Sequence, residues 1–134
     1  MEVAPLSQPR MSFLYVEDDP VTRNIMEKIF LMKLPDITLH LAENGKIGLE
    51  LYRKHEPRIV ITDVNMPVMD GIEMAAQIKA INPGAIIIAV SAYNNTEYLM
   101  NAIEIGINHY VLKPIDFDKL FTTIGKCLTG AATS

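Results

Sequence analysis

Acidic side chains stand directly after two short apolar runs, at the points where buried strands would end. Glu17 and Asp18 follow the run 12–16, and Asp63 follows the run 58–62. The carboxyl ends of parallel strands meet at one edge of a sheet, so these carboxylates would converge if the first and third strands are neighbours. Converging carboxylates repel unless their pKa values rise or a divalent cation neutralises them, and oxygen ligands of this kind suit Mg²⁺. We therefore predict a Mg²⁺ site at Asp18 and Asp63, with solvated loop acids as the alternative.

A lysine and a serine stand at two further strand ends. Lys113 follows an apolar run and precedes Pro114, which makes the Lys113–Pro114 bond a candidate for the cis isomer. Ser91 follows the run 85–90 and places a hydroxyl at the same rim, although a simple loop serine or cap is the alternative. An ammonium group that faces an acidic cleft can pair with a carboxylate and then with phosphate oxygens.

Together these groups are what the transfer of a phosphoryl group to one aspartate requires. A metal ion and a lysine neutralise the charge that develops on the phosphoryl oxygens, and a hydroxyl donates a hydrogen bond to one of them. A carboxylate at a strand end can attack phosphorus in line and give an acyl phosphate. We therefore predict that Asp63 is the nucleophile.

Five short apolar runs alternate with five segments of helical spacing, and these elements must position the polar groups. The predicted strands are Ser12–Val16, Ile37–Ala42, Arg58–Thr62, Ala85–Val90 and Asn108–Leu112. Most of them are continuously apolar, which indicates strands that are buried on both faces. The alternation predicts an α/β fold, a doubly wound five-stranded parallel sheet with five helices.

Capping residues and apolar spacing mark the helices. Asp19 before Pro20 and Asn44 before Gly45 predict two helix N-termini, and Gly106 predicts a helix C-terminus. In the first helix, the apolar residues with helical spacing are Val21, Ile25, Ile29 and Met32. This spacing is typical of an amphipathic helix.

Length and composition exclude several classes of protein. The chain has 134 residues, of which 49% are hydrophobic and 21% charged, as in a single packed globular domain. The net charge is −4 and the basic residues do not cluster, so no nucleic-acid partner is expected. No run has the length of a signal peptide or a membrane span, and Cys127 has no disulfide partner, so a cytoplasmic protein is expected. We expect a flexible leader at 1–11, one domain at 12–128, and a flexible tail or linker at 129–134.

The polar groups belong to motifs that resemble the receiver domain of two-component response regulators. The motifs are VEDDP at 16–20, DVNMPVMDG at 63–71, VSA at 90–92 and YVLKP at 110–114. Together they are highly specific, and the resemblance extends from about Met11 to Leu128. It implies a CheY-like, flavodoxin-like fold with strand order 2-1-3-4-5. This order places the first and third strands at the switch point, where the residues predict a ligand site.

The resemblance implies a signalling switch that catalyses its own phosphorylation and autodephosphorylation, not an enzyme that acts on external substrates. Asp63 would accept a phosphoryl group from the phosphohistidine of a sensor histidine kinase or a phosphotransfer protein. Asp18 and Asp63 would bind Mg²⁺ through carboxylates, Asn65 through its backbone carbonyl and Glu17 through a water. Lys113 would contact the phosphoryl oxygens.

The resemblance also implies that phosphorylation is read at a surface. Ser91 would carry the signalling hydroxyl, and Tyr110 would turn inward once Ser91 moves; for Tyr110, a half-buried strand aromatic is the alternative. The readout surface would comprise the fourth helix, fifth strand and fifth helix, roughly 94–128, and would serve an output domain, a protein partner or a phosphorylation-dependent homodimer. Its candidate exposed residues are Tyr98, Met100, Asn101, Glu104, Lys119 and Lys126.

Some positions depart from the family or lie outside its chemistry. Ser91 replaces the more usual threonine, and Gly48 stands where a helix would gain from alanine. Asn65 and Tyr93 occupy positions that, in the family, tune the lifetime of the acyl phosphate. Three histidines show no ligand spacing and are expected on the surface or at strand edges: His40, His55 and His109.

Other classes of protein fit the sequence less well. A haloacid-dehalogenase-like phosphatase would carry its nucleophile after the first strand, together with a large cap. A flavodoxin-like cofactor carrier would need a phosphate-binding loop where this chain has three acids. An EF-hand at 63–74 fails because Val68 stands at the glycine position and Met74 at the glutamate position. A receiver fold that binds proteins without transferring phosphate stays open.

Overall fold

The computed structural model describes residues 11–92 and 96–129, in which five strands alternate with five helices. The strands are β1 (Ser12–Val16), β2 (Thr38–Ala42), β3 (Ile59–Asp63), β4 (Ile86–Ser91) and β5 (His109–Leu112). The helices are α1 (Pro20–Lys33), α2 (Gly45–His55), α3 (Gly71–Ile81), α4 (Thr96–Ile105) and α5 (Phe117–Thr129). Tyr93 occupies a position that the resemblance associates with the lifetime of the acyl phosphate, and it lies outside the described residues. None of the described helices is long and apolar enough to cross a membrane.

The strands form one parallel sheet in the order β2-β1-β3-β4-β5. Because β1 pairs with both β2 and β3, the order reverses beside β1, and ligands of such sheets bind beyond the carboxyl ends of the strands at that point. The predicted α/β fold and its strand order are confirmed.

The strand boundaries differ from the prediction at the residues of the candidate site. The predicted starts of β2 to β5 are each one residue too early, and β3 and β4 end one residue later than predicted. Asp63 is therefore the last residue of β3, where it pairs with Val90, and Ser91 is the last residue of β4. The sheet thus holds the backbone of both residues, which a loop would leave freer.

Alternate residues of β1 enter two apolar layers, one on each face of the sheet. Phe13 and Tyr15 pack in the layer that includes residues of α1 and α5, whereas Leu14 and Val16 pack with α2 and α3. The inner strands β1, β3 and β4 are buried along almost their whole length, and the edge strands β2 and β5 are mostly half-buried. This explains the continuous apolar runs of the sequence.

Helix α1 has apolar residues on two faces, and the face with the regular spacing is not the buried one. Its buried residues are Met26 and Phe30. Three of the four residues that show helical spacing are exposed: Val21 (65%), Ile25 (52%) and Met32 (75%). The spacing therefore identified the helix and left an apolar stripe on its solvent side.

Close packing explains the glycine that helix propensity disfavours in α2. A Cβ atom on Gly48 would lie 2.7 Å from Met74 Sδ and 3.1 Å from Val16 Cγ2. Close packing therefore opposes the gain expected from alanine, because Met74 and Val16 would have to shift to make room for the methyl group.

The predicted caps and histidine positions agree with the structure. Asp19 and Asn44 accept backbone N–H bonds at the starts of α1 and α2, and Gly106, at φ 95°, follows α4. His40 and His109 lie half-buried on the edge strands, and the exposed ring of His55 stacks on His40 with ring centroids 4.0 Å apart.

Candidate functional site

Three carboxylates converge at the carboxyl edge of the sheet. Glu17 and Asp18 follow β1, Asp63 ends β3, and one oxygen from each lies within 4.8 Å of the others. Glu17 and Asp63 are only 2% and 8% exposed, while Asp18 is more accessible. The predicted convergence is confirmed, because β1 and β3 are paired neighbours.

Lys113 projects toward two of these carboxylates. Its Nζ lies 3.5 Å from Asp63 Oδ2 and 3.8 Å from Glu17 Oε1. The Lys113–Pro114 peptide bond is cis, and the Lys113 N–H donates to the Ser91 carbonyl at 2.8 Å. The lysine therefore faces the acidic cleft, as predicted, and its backbone is tied to the end of β4.

Local hydrogen bonds orient Asp63. The Val64 N–H donates to Asp63 Oδ1 at 2.9 Å, and the Thr62 hydroxyl donates to the Asp63 carbonyl at 2.8 Å. The Gly71 N–H donates to the Val64 carbonyl and holds the start of α3 against the end of β3. One carboxylate oxygen is thus fixed by the backbone, and the other faces the ammonium group of Lys113.

The acidic cluster is electrostatically unfavourable without a cation. Burial, together with the nearby Asp63, raises the pKa of the Glu17 carboxyl to about 7 against the opposing effects of the Asp19 N–H and Lys113. Burial likewise raises the pKa of Asp63, against the opposing effects of Lys113 and the Val64 N–H. A divalent cation at this place would favour the ionised carboxylates.

The loop between β1 and α1 is held by its own hydrogen bonds. Asp19 Oδ2 accepts from the Thr22 N–H at 2.9 Å and from the Thr22 hydroxyl at 2.6 Å. The Asp19 N–H donates to Glu17 Oε2 at 3.2 Å, and the Arg23 guanidinium donates to the Glu17 carbonyl at 2.7 Å. Asp19 is therefore a capping residue, as predicted, and Glu17 is held by both its backbone and its side chain.

Tyr15 is a residue of the site that the sequence analysis missed. It is 2% exposed, and its hydroxyl donates to Glu17 Oε1 at 3.5 Å. Burial and the nearby carboxylates of Glu17 and Asp63 raise the pKa of the Tyr15 phenol far above its ordinary value, so it remains a donor. The available signal was its spacing, because residues i and i+2 of a strand point to the same face.

The predicted switch residues lie on and after the strands. Ser91 is 1% exposed, so its hydroxyl is buried at the end of β4 and not at an open rim. Tyr110 is half-buried on β5, where it pairs with Ala89 of β4, and Asn65 is exposed two residues after Asp63. The signalling roles of Ser91 and Tyr110 and the metal-binding role of Asn65 stay predictions.

The described part of the predicted readout surface, from residue 96 onward, exposes both polar and apolar side chains. Among its candidate residues, Tyr98 is half-buried, and the others are exposed: Met100, Asn101, Glu104, Lys119 and Lys126. Large apolar side chains are also exposed on α4 and β5: Leu99, Met100, Ile103 and Leu112. We call these four residues the α4-β5 apolar patch.

The donor set of the acidic cluster fits a hard divalent cation. Its side chains supply carboxylate oxygens without sulfur or imidazole, which is the set that Mg²⁺ and Ca²⁺ prefer. Within residues 11–92 and 96–129, it is the one group of three or more possible metal-ligating side chains. The residues therefore fit the predicted Mg²⁺.

Comparison with known proteins shows close relatives. A family model described as the response regulator receiver domain matches residues 13–125. The chain is 34% identical over 115 residues to the chemotaxis protein CheY of Bacillus subtilis, covering 86% of this chain and 96% of CheY. It is 36% identical over 110 residues to a cyclic di-GMP phosphodiesterase of Thermotoga maritima, covering 82% of this chain and 29% of that protein. The solved structure of response regulator protein TrrA of Thermotoga maritima, in complex with Mg²⁺ and BeF, has a TM-score of 0.78 at 26% identity, covering 87% of this chain and 98% of TrrA.

A doubly wound sheet with an acidic cluster and a lysine at the carboxyl ends of its strands defines a CheY-like domain. The chain belongs to the response regulator receiver domain family, whose members are signalling switches of two-component systems. It spans almost the whole length of CheY, but less than a third of the phosphodiesterase.

Proposed function

We propose that this domain is the phosphoacceptor of a two-component system. Asp63 takes a phosphoryl group from the phosphohistidine of a sensor histidine kinase or a phosphotransfer protein. The observation that carries this proposal is the setting of the Asp63 carboxylate. Its Oδ1 is held by the Val64 N–H, and its Oδ2 lies 3.5 Å from the Lys113 ammonium. A phosphoryl group on Asp63 would therefore lie beside a positioned cation.

The transfer exchanges one bond to phosphorus for another. A carboxylate oxygen of Asp63 bonds to phosphorus as the P–N bond of the phosphohistidine breaks, and the electron pair of that bond stays on the imidazole nitrogen. Lys113 neutralises charge on the phosphoryl oxygens, and the Ser91 hydroxyl donates a hydrogen bond to one of them. Attack of water on phosphorus later releases inorganic phosphate and restores the carboxylate.

We assign the Mg²⁺ ligands from the same cluster. Asp18 and Asp63 would hold the ion through carboxylates, Asn65 through its backbone carbonyl, and Glu17 through a water. The ion supplies positive charge for the phosphoryl oxygens and offsets the repulsion among the carboxylates. The 4.8 Å grouping of the three acids supports this assignment, as does the relative TrrA, whose structure contains Mg²⁺ and BeF.

The signal leaves the site through the ends of β4 and β5. Ser91 and Lys113 lie at these ends and share a backbone hydrogen bond of 2.8 Å, so movement of either toward the phosphoryl group affects both strands. Tyr110 turns inward as Ser91 moves. The α4-β5 apolar patch then contacts an output domain, a protein partner or a second copy, since exposed apolar patches serve as interaction sites.

An exposed stripe on α1 supports docking of the phosphodonor beside the site. Val21 and Ile25 are 65% and 52% exposed, and α1 begins directly after the loop that carries Glu17 and Asp18. A phosphohistidine must come within bonding distance of Asp63, so its carrier protein covers the carboxyl edge of the sheet and the start of α1. Full burial of an aliphatic side chain contributes roughly 1.5–3 kcal/mol. Val21 and Ile25 are already partly buried, so their burial under the carrier protein would each contribute a fraction of that to the free energy of docking.

We further propose that residues 12–128 act as one receiver unit in the cytoplasm, without a nucleic-acid partner. The strands from Ser12 to Leu112 share one sheet, which supports a single unit. The net charge of −4 supports the absence of a nucleic-acid partner.

The direct test is phosphorylation by a small donor. The protein is incubated with Mg²⁺ and acetyl phosphate, and its intact mass is recorded beside Asp63→Asn and EDTA controls. We expect a gain of one phosphoryl group that requires both Mg²⁺ and Asp63. If the mass does not change, the domain does not transfer phosphate and acts as a protein-binding module.

The readout is tested by light scattering of the phosphorylated and unphosphorylated protein. If the α4-β5 apolar patch binds a second copy of the domain, the molecular mass in solution should double on phosphorylation. Ile103→Asp should abolish this doubling without preventing phosphorylation. Equal masses for both forms would exclude the dimer at the concentration used.

A further inference from the structure

We propose that Tyr15 is a positioning residue for the metal site and that its buried hydroxyl holds the Glu17 carboxylate in the orientation that serves Mg²⁺. This inference rests on the proposed function of the acidic cluster. It assigns a role to a residue of the sheet interior, outside the receiver motifs.

The contact is built into one strand. Tyr15 lies in β1, and Glu17, two residues on, directly follows the strand, so their side chains lie on the same face. Both are 2% exposed, and the Tyr15 hydroxyl donates to Glu17 Oε1 at 3.5 Å, the outer limit of hydrogen-bond length. A buried phenol hydroxyl requires an acceptor, and this one has the carboxylate.

The two oxygens of the Glu17 carboxylate have different partners. The Asp19 N–H donates to Oε2 at 3.2 Å, while Oε1 faces the Tyr15 hydroxyl and, at 3.8 Å, Lys113 Nζ. Lys113 also lies 3.5 Å from Asp63 Oδ2, so it is shared between two carboxylates. When Lys113 turns to the phosphoryl group, Tyr15 keeps a donor on Oε1. The hydroxyl therefore preserves the orientation of Glu17 in both states of the switch.

The ring of Tyr15 is fixed independently of its hydroxyl. It packs against Phe30 of α1 with ring centroids 5.4 Å apart and an interplanar angle of 56°, within the layer between the sheet and α1. Phenylalanine would keep this packing and lose only the oxygen. Tyr15→Phe thus separates the hydrogen bond from the core contact.

The chain offers a matched control in the opposite layer. Tyr52 of α2 is also 2% exposed, and its hydroxyl accepts a hydrogen bond from Asn82 Nδ2 at 3.1 Å. Tyr52→Phe removes a buried hydroxyl of the same kind far from the acids. A general cost of losing a buried phenol would affect both variants, whereas a positioning role affects Mg²⁺ binding only in Tyr15→Phe.

The experiment measures Mg²⁺ affinity by isothermal titration of the wild-type protein, Y15F, Y52F, E17Q and the double variant Y15F/E17Q. We expect Y15F to raise the Mg²⁺ dissociation constant about three- to tenfold, the range of one ordinary hydrogen bond. Y52F should leave the constant unchanged. In the E17Q background, Y15F should have less than a twofold effect, because Tyr15 acts through the carboxylate.

A measurement on the wild-type protein needs no variant to fold. With ¹³C-labelled tyrosine, the ring signal of Tyr15 should move on addition of Mg²⁺, while that of Tyr52 stays in place. The inference is overturned if Y15F binds Mg²⁺ as the wild type does, if Y52F weakens binding equally, or if the Y15F effect persists undiminished with E17Q. Failure of acetyl phosphate to label Asp63 would instead reject the proposed phosphotransfer and leave these binding results standing.

Discussion

Replacing Gly71 by alanine tests whether close packing of α3 positions Asp63, the proposed phosphoacceptor. Gly71 is the first residue of α3, and a Cβ atom there would lie 2.2 Å from the Asp63 carbonyl oxygen and 3.1 Å from Thr62 Oγ1. Ordinary contacts begin near 3.4 Å, so the start of α3 and the end of β3 must separate by about 1 Å. The nearest of these atoms, the Asp63 carbonyl oxygen, belongs to the backbone, which cannot turn away as a flexible side chain can.

The expected result of Gly71→Ala has two parts. Overpacking of this size costs roughly 1–3 kcal/mol of the free energy of unfolding. A displacement of about 1 Å at a reacting group lowers a rate by up to about 100-fold. We therefore expect a destabilised protein in which acetyl phosphate labels Asp63 at least about tenfold more slowly than in the wild type.

Urea unfolding and the initial rate of mass gain measure these two effects separately. Gly125→Ala is the matched control, because a Cβ atom at this helical position meets nothing within 4 Å. It should stabilise the protein by roughly 0.5–1 kcal/mol and leave the labelling rate unchanged. A Gly71→Ala protein with wild-type stability and wild-type labelling would refute the packing argument.

Three further changes should alter stability. Val68 is a β-branched residue that is 74% exposed and has φ 71°, a backbone conformation that asparagine tolerates better. Val68→Asn should therefore raise the free energy of unfolding, measured in urea, by about 1 kcal/mol. A decrease would show that the Val68 side chain makes a stabilising contact. Asp70 Oδ1 accepts a hydrogen bond from the Glu73 N–H at 2.8 Å and caps the start of α3. Asp70→Ala should therefore lower the free energy of unfolding by about 1 kcal/mol. An unchanged value would show that this cap does not stabilise the protein. The Glu17 carboxyl has its pKa raised from an ordinary 4.5 to about 7, so the folded metal-free protein binds this proton more tightly than the unfolded chain. The proton on Glu17 therefore contributes up to about 3 kcal/mol to the free energy of unfolding below pH 4.5, and this contribution is lost as the pH rises to 7. Urea unfolding across this pH range should show the loss in the wild type and a smaller loss in Glu17→Gln. An equal dependence on pH in the two proteins would contradict this prediction.

Much of the site could be predicted because its chemistry is concentrated in short motifs at strand ends. Asp63 and Lys113 stand directly after apolar runs, and the rule that ligands bind beyond the carboxyl ends of parallel strands then places them together. The order of the strands came from the family resemblance, since local spacing alone does not specify which strands are neighbours.

Other features escaped prediction because they depend on packing between distant segments. The regular spacing of Val21 and Ile25 marks a helix, but Met26 and Phe30 face the sheet. Helix propensity disfavours Gly48, yet a side chain there would crowd Val16 of β1 and Met74 of α3. In both cases, the neighbouring layer decided the outcome and not the helix itself.

The sequence by itself determined the succession of strands and helices and the identity of the candidate reactive groups. Apolar periodicity, caps and strand-end acids are local properties, and each can be read within a few residues. The tertiary structure decided the distances on which the proposed function depends, such as the 3.5 Å from Lys113 Nζ to Asp63 Oδ2. It also decided that the Tyr15 hydroxyl meets Glu17 in a buried cluster. The Lys113–Asp63 distance arises only when separate strands pack side by side. The burial of Tyr15 and Glu17 requires helices that cover the sheet and exclude water, whereas their spacing along the chain is local.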